Sequence, residues 1–177
     1  MQFNTLINKL LSKKNIRIIF IINIIFCIIF ILFLAFFINT KLNKSFTLIT
    51  SNSIGKKIIL TQITDKNLEL KDLKNKIVII EKTTPYSNKH FKHIAKYIKC
   101  VEGDILKVTK EKEYFCNDVY LGFAQNTNSK GKEIKNFVFN GAIPKNKFFA
   151  MGTHLMSYDS RYFGFIDKTQ IVRNEVF

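Results

Sequence analysis

Acidic residues are absent from the first 40 positions, and charge of either sign is absent from the 21 residues Ile18 to Ile38. A charge-free apolar run of this length exceeds what a buried core helix needs and matches the roughly 20 residues that cross a bilayer as a helix. Its single polar side chain is Asn23. A cleaved leader is the competing reading, but leader cores run about 7–15 residues and end at small residues. Here Ala35 is followed by Phe36, Phe37, Ile38 and Asn39. An uncleaved anchor is therefore expected over 18–38, after a basic segment 1–17.

Cysteine, proline and glycine are also scarce, at 3, 2 and 7 residues. With so little proline there is no Pro-rich linker to divide residues 41–177, and no internal repeat is visible. That stretch is expected to be one domain. Cys27 falls in the apolar run, which leaves Cys100 and Cys116, 16 positions apart. In an oxidising compartment they could bridge, worth about 3 kcal/mol by loop closure. No histidine–cysteine spacing recommends a metal site, and His90 with His93 lacks a third ligand. No metal and no cofactor is expected.

What is plentiful is positive charge. The net charge is +15, four of which lie in the first 40 residues, leaving +11 for residues 41–177. Such an excess can mark a nucleic-acid or anionic-lipid partner. The chain carries neither an Arg-rich helix nor interleaved basic and aromatic residues, and its lysine accompanies abundant Ile, Asn and Phe. A nucleic-acid partner is not expected. Lys9, Lys13, Lys14 and Arg17 precede the apolar run, against Lys41 and Lys44 after it. By the positive-inside bias the N-terminus faces the cytoplasm and residues beyond Thr40 lie outside it.

Beyond the anchor the chain reads as short strands separated by turn residues. Lys57–Gln62, Lys76–Glu81, Ile94–Val101, Ile105–Val108, Glu113–Cys116, Phe137–Phe139, Phe148–Met151 and Gly164–Ile166 are short and rich in β-branched or aromatic residues. Only Ser87–His93 suggests a helical turn. The spacing predicts a mainly β, antiparallel domain, as a barrel or coiled sheet.

Three segments carry chemistry. Thr50-Ser51-Asn52-Ser53-Ile54-Gly55 is a serine-rich turn some ten residues beyond the anchor. In Lys96-Tyr97-Ile98-Lys99-Cys100, strand alternation places Lys96 on a face with Ile98 and Cys100. A lysine on an apolar face loses charge stabilisation, so its pKa falls and it can act as a general base. In Ser157-Tyr158-Asp159-Ser160-Arg161, Asp159 and Arg161 are two apart, and in an extended loop they would face the same way as an ion pair. A Ser–His–Asp arrangement using His154 and Asp159 is a rival that leaves Lys96 without a purpose.

The stretch Gly152-Thr153-His154-Leu155-Met156-Ser157-Tyr158-Asp159-Ser160-Arg161-Tyr162-Phe163-Gly164 resembles the last conserved box of type I signal peptidases. With His154 where asparagine is usual and its Arg-Tyr-Phe-Gly ending, it is most similar to the conjugative-transfer peptidase TraF branch. Lys96, seven residues before Gly103-Asp104, falls where that family has its general-base lysine. Ser51-Asn52-Ser53-Ile54-Gly55 resembles the Ser-x-Pro-x-Gly nucleophile turn, with Ser53 in place of proline. Glu102 likewise replaces the proline before Gly103-Asp104. Asn117–Gly122 followed by Asn128–Gly131 also resembles the TraF branch.

The resemblance implies a signal-peptidase-like β domain behind one transmembrane helix, with a Ser51–Lys96 dyad. It implies that Ser157 orients the lysine and that Asp159, Arg161, Gly103 and Asp104 are supporting residues. The implied substrate is an exported precursor protein, for the TraF branch a pilin precursor of a conjugative or type IV secretion system. The implied place is the inner (cytoplasmic) membrane, single-pass, with the catalytic domain on the periplasmic or extracytoplasmic side. A general type I signal peptidase and a degenerate, non-catalytic scaffold of a secretion system are the alternatives.

Overall fold

The computed structural model describes residues 13–41, 43–65, 67–85 and 92–176. The segment expected to hold a helical turn falls largely outside these residues, and so does His90. The chain divides into two compact units, Met1–Ser45 and Phe46–Phe177.

Among the described residues the first unit holds the helix α1 (Lys13–Lys41). Within it Asn15–Phe37 is long and apolar enough to cross a membrane, and none of its side chains is buried in the protein. A helix that is apolar all round is suited to a hydrocarbon environment.

The second unit is built from antiparallel strands in two sheets. The larger has the order β1 (Lys44–Leu48), β2 (Ile58–Ile63), β11 (Ile171–Glu175), β3 (Ile77–Glu81), β4 (His93–Val101), β9 (Lys147–Met151) and β10 (Ile166–Asp167). The smaller has the order β7 (Val119–Phe123), β6 (Glu113–Cys116), β5 (Ile105–Val108) and β8 (Gly141–Ala142). A one-turn helix, α2 (Ser160–Phe163), follows β9.

The mainly antiparallel β architecture agrees with the sequence pattern, but several elements differ. Among the described residues the strands make two sheets rather than one. Phe137–Phe139 is not a strand; Phe137 and Phe139 instead pack onto the core between the sheets. Only Ile166 of Gly164–Ile166 is in a strand. Strands β1, β7, β8 and β11 were not legible. For β11 the reason is composition: Arg173, Asn174 and Glu175 break the apolar pattern, yet the strand runs between β2 and β3. Its polar atoms are matched one by one. Arg173 Nε donates to Thr61 Oγ1 at 2.8 Å, Thr64 Oγ1 donates to Asn174 Oδ1 at 3.1 Å, and Ile77 N donates to Glu175 Oε2 at 3.2 Å. Buried polar groups satisfied in this way cost little, so a polar strand can be central.

Three apolar clusters hold the second unit. Leu70, Leu73, Val78, Ile80, Ile98 and Phe148 form one, and Leu106, Tyr114, Phe149 and Met151 anchor a second with the small sheet. Ile49, Ile54, Ile59, Ile77 and Ile79 form a third. The Cys100–Cys116 disulfide ties β4 to β6, hence one sheet to the other. Replacing both cysteines by alanine is expected to lower unfolding free energy by about 3 kcal/mol, from the loop the bond closes. Urea unfolding with and without reductant measures it, and an unchanged midpoint would show that the bridge adds no stability.

Candidate active site

Ser51 lies in a loop whose shape follows from its apolar neighbours. Ile49 and Ile54 bracket the serine and are both buried in the third cluster, while Ser51 itself is exposed. Ile49 N donates to the Lys57 carbonyl at 2.7 Å and closes the loop's ends. Gly55 turns the chain at φ +71°, a left-handed conformation that favours glycine. Lys57 Nζ donates to Asn52 Oδ1 at 2.5 Å, and Lys56 pairs with Glu175 at 2.5 Å. Anchored at both ends, the loop can present a serine to solvent without being floppy.

Lys96 sits on β4, paired on one side with β3, where it faces Val78, and on the other with β9. An interior strand gives its side chain no edge to escape from. Lys96, Ile98 and Cys100 are buried at alternate positions, with Lys96 only 4% exposed. Its Nζ donates to Ser157 Oγ at 2.8 Å. Burial pushes the Lys96 amine down to about 8, the nearby Asp159 carboxylate opposes this, and Arg161 adds to it. A substantial fraction of the amine is therefore neutral near physiological pH and able to accept a proton.

The Asp159–Arg161 pair is present, in a geometry other than the extended loop expected. Asp159 is the N-cap of α2, and its Oδ1 accepts from Arg161 N at 3.2 Å and Arg161 Nε at 2.9 Å. Its Oδ2 accepts from Arg161 Nη2 at 2.8 Å and from Gly152 N at 2.9 Å. Arg161 continues to the carbonyls of Phe123 at 2.7 Å and Ser157 at 3.3 Å. Asp159 is 0% and Arg161 3% exposed. The pair thus ties the two ends of the Gly152–Ser157 loop together beneath the cleft. Asp159→Ala would leave the guanidinium buried and unpaired. We expect it to cost about 3–5 kcal/mol in urea unfolding; a loss under about 1 kcal/mol would mean that the loop does not depend on it.

Gly103 and Asp104 are elsewhere. Gly103 turns the chain at φ +82° between β4 and β5. Asp104 Oδ2 accepts from Val101 N at 2.9 Å and from Lys74 Nζ at 2.7 Å, and its Oδ1 accepts from Asn117 Nδ2 at 2.7 Å. These bonds secure the far end of β4, and neither residue lines the cleft.

The cleft has a volume of about 690 Å³. Ser51, Ser53, Lys96 and Ser157 line it together with Thr127, Asn128, Ser129, His93 and His154. Among the described residues no carboxylate lines it. His154 Nδ1 accepts from Met156 N at 3.1 Å, and the Asp159 carboxylate is taken by Arg161 and Gly152, so the Ser–His–Asp alternative has no geometry behind it.

Two features were not evident from residue types. Ser51 Oγ is hydrogen-bonded to Ser53 Oγ at 2.9 Å, while the hydrogen bond of Lys96 goes to Ser157. Gly152 is where the two halves meet: Thr153 N donates to the Ser53 carbonyl at 2.8 Å, one residue beyond the glycine. A Cβ on Gly152 would overlap both Ser157 Oγ and the Ser53 carbonyl. Glycine in a loop is too common for its identity alone to have pointed to this approach.

Residues 13–177 match the family described as signal peptidase, peptidase S26. No curated protein matches the chain. Among solved structures, a signal peptidase I from Enterococcus faecalis V583 is similar at 18% identity and a TM-score of 0.37. The match covers 61% of this chain and 96% of that one.

Proposed function

From the premise that the chain belongs to the signal peptidase family, peptidase S26, and is a signal-peptidase-like serine endopeptidase, we propose that Ser51 and Lys96 are its catalytic dyad. The observation that carries this reading is Lys96: an amine buried on an interior strand, bonded to Ser157 and lining the same cleft as Ser51.

In the reaction Ser51 Oγ attacks the scissile carbonyl as its proton passes to neutral Lys96 Nζ. The tetrahedral intermediate collapses, Lys96 returns the proton to the departing amine, and an ester remains on Ser51. Water, deprotonated by the same amine, then attacks the ester and releases the serine. Ser157 orients the amine through its 2.8 Å bond, and Asp159 with Arg161 holds the Ser157 loop. The Ser51 backbone N–H is the expected oxyanion donor. Ile49, two residues before the nucleophile, has no hydroxyl to add and is buried.

The substrate is an exported precursor cleaved beside the membrane after small residues. The resemblance of Gly152–Gly164 and Asn117–Gly131 to the TraF branch favours a pilin precursor of a conjugative or type IV secretion system. Asn15–Phe37 serves as a single-pass anchor, with the N-terminus in the cytoplasm and residues 41–177 outside as the peptidase domain. Incubating the full-length protein in micelles with pilin precursors and with secreted preproteins tests this. The wild type should cleave, with pilin precursors preferred, and Ser51→Ala should not. Cleavage by Ser51→Ala at the wild-type rate would remove the nucleophile assignment.

A further inference from the structure

The Ser51 hydroxyl does not stand alone in the cleft. Its hydrogen-bond partner is Ser53 Oγ at 2.9 Å, and Ser53 too lines the cleft. The backbone of Ser53 is fixed from the other side, because its carbonyl accepts from Thr153 N at 2.8 Å and from His154 N at 3.4 Å. The next residue, Ile54, is buried in the third cluster and removes the remaining freedom of the turn. That carbonyl also lies beside Ser157 Oγ, since both crowd the place where a Gly152 Cβ would stand, and Ser157 holds Lys96. Ser53 therefore joins the nucleophile's oxygen, through its own side chain and main chain, to the loop that holds the base.

We propose that Ser53 is a positioning residue for the nucleophile: its hydroxyl fixes the Ser51 oxygen and donates to it as negative charge develops there during attack. This rests on Ser51 being the nucleophile. Ser53 forms no bond to substrate and takes no net proton. As the Ser51 proton leaves for Lys96, the Ser53 O–H turns its hydrogen toward the oxygen left behind. The same donor steadies that oxygen when it departs from the ester. A hydrogen bond to a charged oxygen is stronger than one to a neutral hydroxyl, so the contribution is larger in the transition state than in the resting enzyme. The residue thus does by hydrogen bonding what a proline at this position, having no hydroxyl, could do only by stiffening the turn.

The test compares Ser53→Ala, Ser53→Thr, Ser53→Pro and Ser51→Ala in the full-length protein in micelles, on a precursor that the wild type cleaves. Ser53→Ala should lower kcat about 10- to 100-fold, as for loss of one bond to a charged group. KM should stay within about twofold and the thermal midpoint should not move, because ground-state binding and folding do not use this bond. Ser53→Thr, which keeps the hydroxyl, should recover most of the rate, and Ser53→Pro should not. Wild-type kcat in Ser53→Ala, or equal recovery by proline and threonine, overturns the proposal while Ser51→Ala stays inactive. If Ser51→Ala is active and Ser53→Ala is not, the nucleophile is Ser53 and the dyad assignment falls with the inference.

Discussion

Lys96→Met is expected to abolish precursor cleavage while leaving the protein at least as stable as the wild type. Methionine keeps the length and removes the only group on this strand face that resists burial. Loss of the base should lower kcat by about 10³ or more, since the amine serves both steps and general acid–base catalysis contributes roughly 10²–10⁴. Lys96→Arg should be equally inactive, because a guanidinium does not deprotonate in proteins. The wild-type pH profile follows from the same geometry. With the Lys96 pKa lowered to about 8, kcat/KM should climb about tenfold per pH unit below that value and level off above it.

The stability linkage has a definite sign. Lysine in the unfolded chain keeps its ordinary pKa of 10.5, against about 8 in the fold. Between these values the unfolded state binds the proton and the folded state does not, so stability rises with pH across that window. The penalty present below about pH 8 is on the order of 3 kcal/mol. Lys96→Met should remove this slope from urea midpoints measured between pH 7 and 10. A slope that persists in the variant would assign it to another group, and a kcat/KM profile flat from pH 6 to 9 would sink Lys96 as the base.

The second large effect is expected at Gly152. Alanine there would overlap Ser157 Oγ and the Ser53 carbonyl oxygen and stand 2.7 Å from Ser157 Cβ. Neither neighbour can yield cheaply. The carbonyl is held by two backbone donors, and the Ser157 hydroxyl is bonded to Lys96. The nucleophile turn and the base would be pushed apart, and a displacement of about 1 Å can cost 10²-fold in rate. Gly152→Ala should therefore lower kcat at least about 10²-fold, with about 1–3 kcal/mol of overpacking cost in stability. Gly131→Ala is the matched control: its φ of +73° makes alanine unfavourable, but nothing lies within 4 Å of it. Equal activity in the two variants would show that the close approach at Gly152 is unimportant.

The sequence by itself determined the local properties of this protein. A charge-free run makes α1 a candidate span from composition alone. Strand alternation put Lys96 with Ile98 and Cys100, because side chains on a strand point to alternate faces wherever the strand is placed. Alternation could not say whether β4 would be at an edge, where the ammonium would stay in water. The pairing of β4 with β3 and β9 decided that, and with it the lowered pKa. Spacing also brought Asp159 and Arg161 within reach of each other, but α2 and the hydrogen bond from Gly152 N settled how they meet.

Only the tertiary structure revealed what surrounds the two reactive groups. Ser51 was readable as one serine in a polar turn. That its oxygen is bonded to Ser53, two residues on, needed the shape of the turn; that Gly152 lets the turn touch the Ser157 loop depends on segments about a hundred residues apart in the chain. That approach follows from how Ile49 and Ile54 seat the turn against the larger sheet in the third apolar cluster, and no local pattern encodes it.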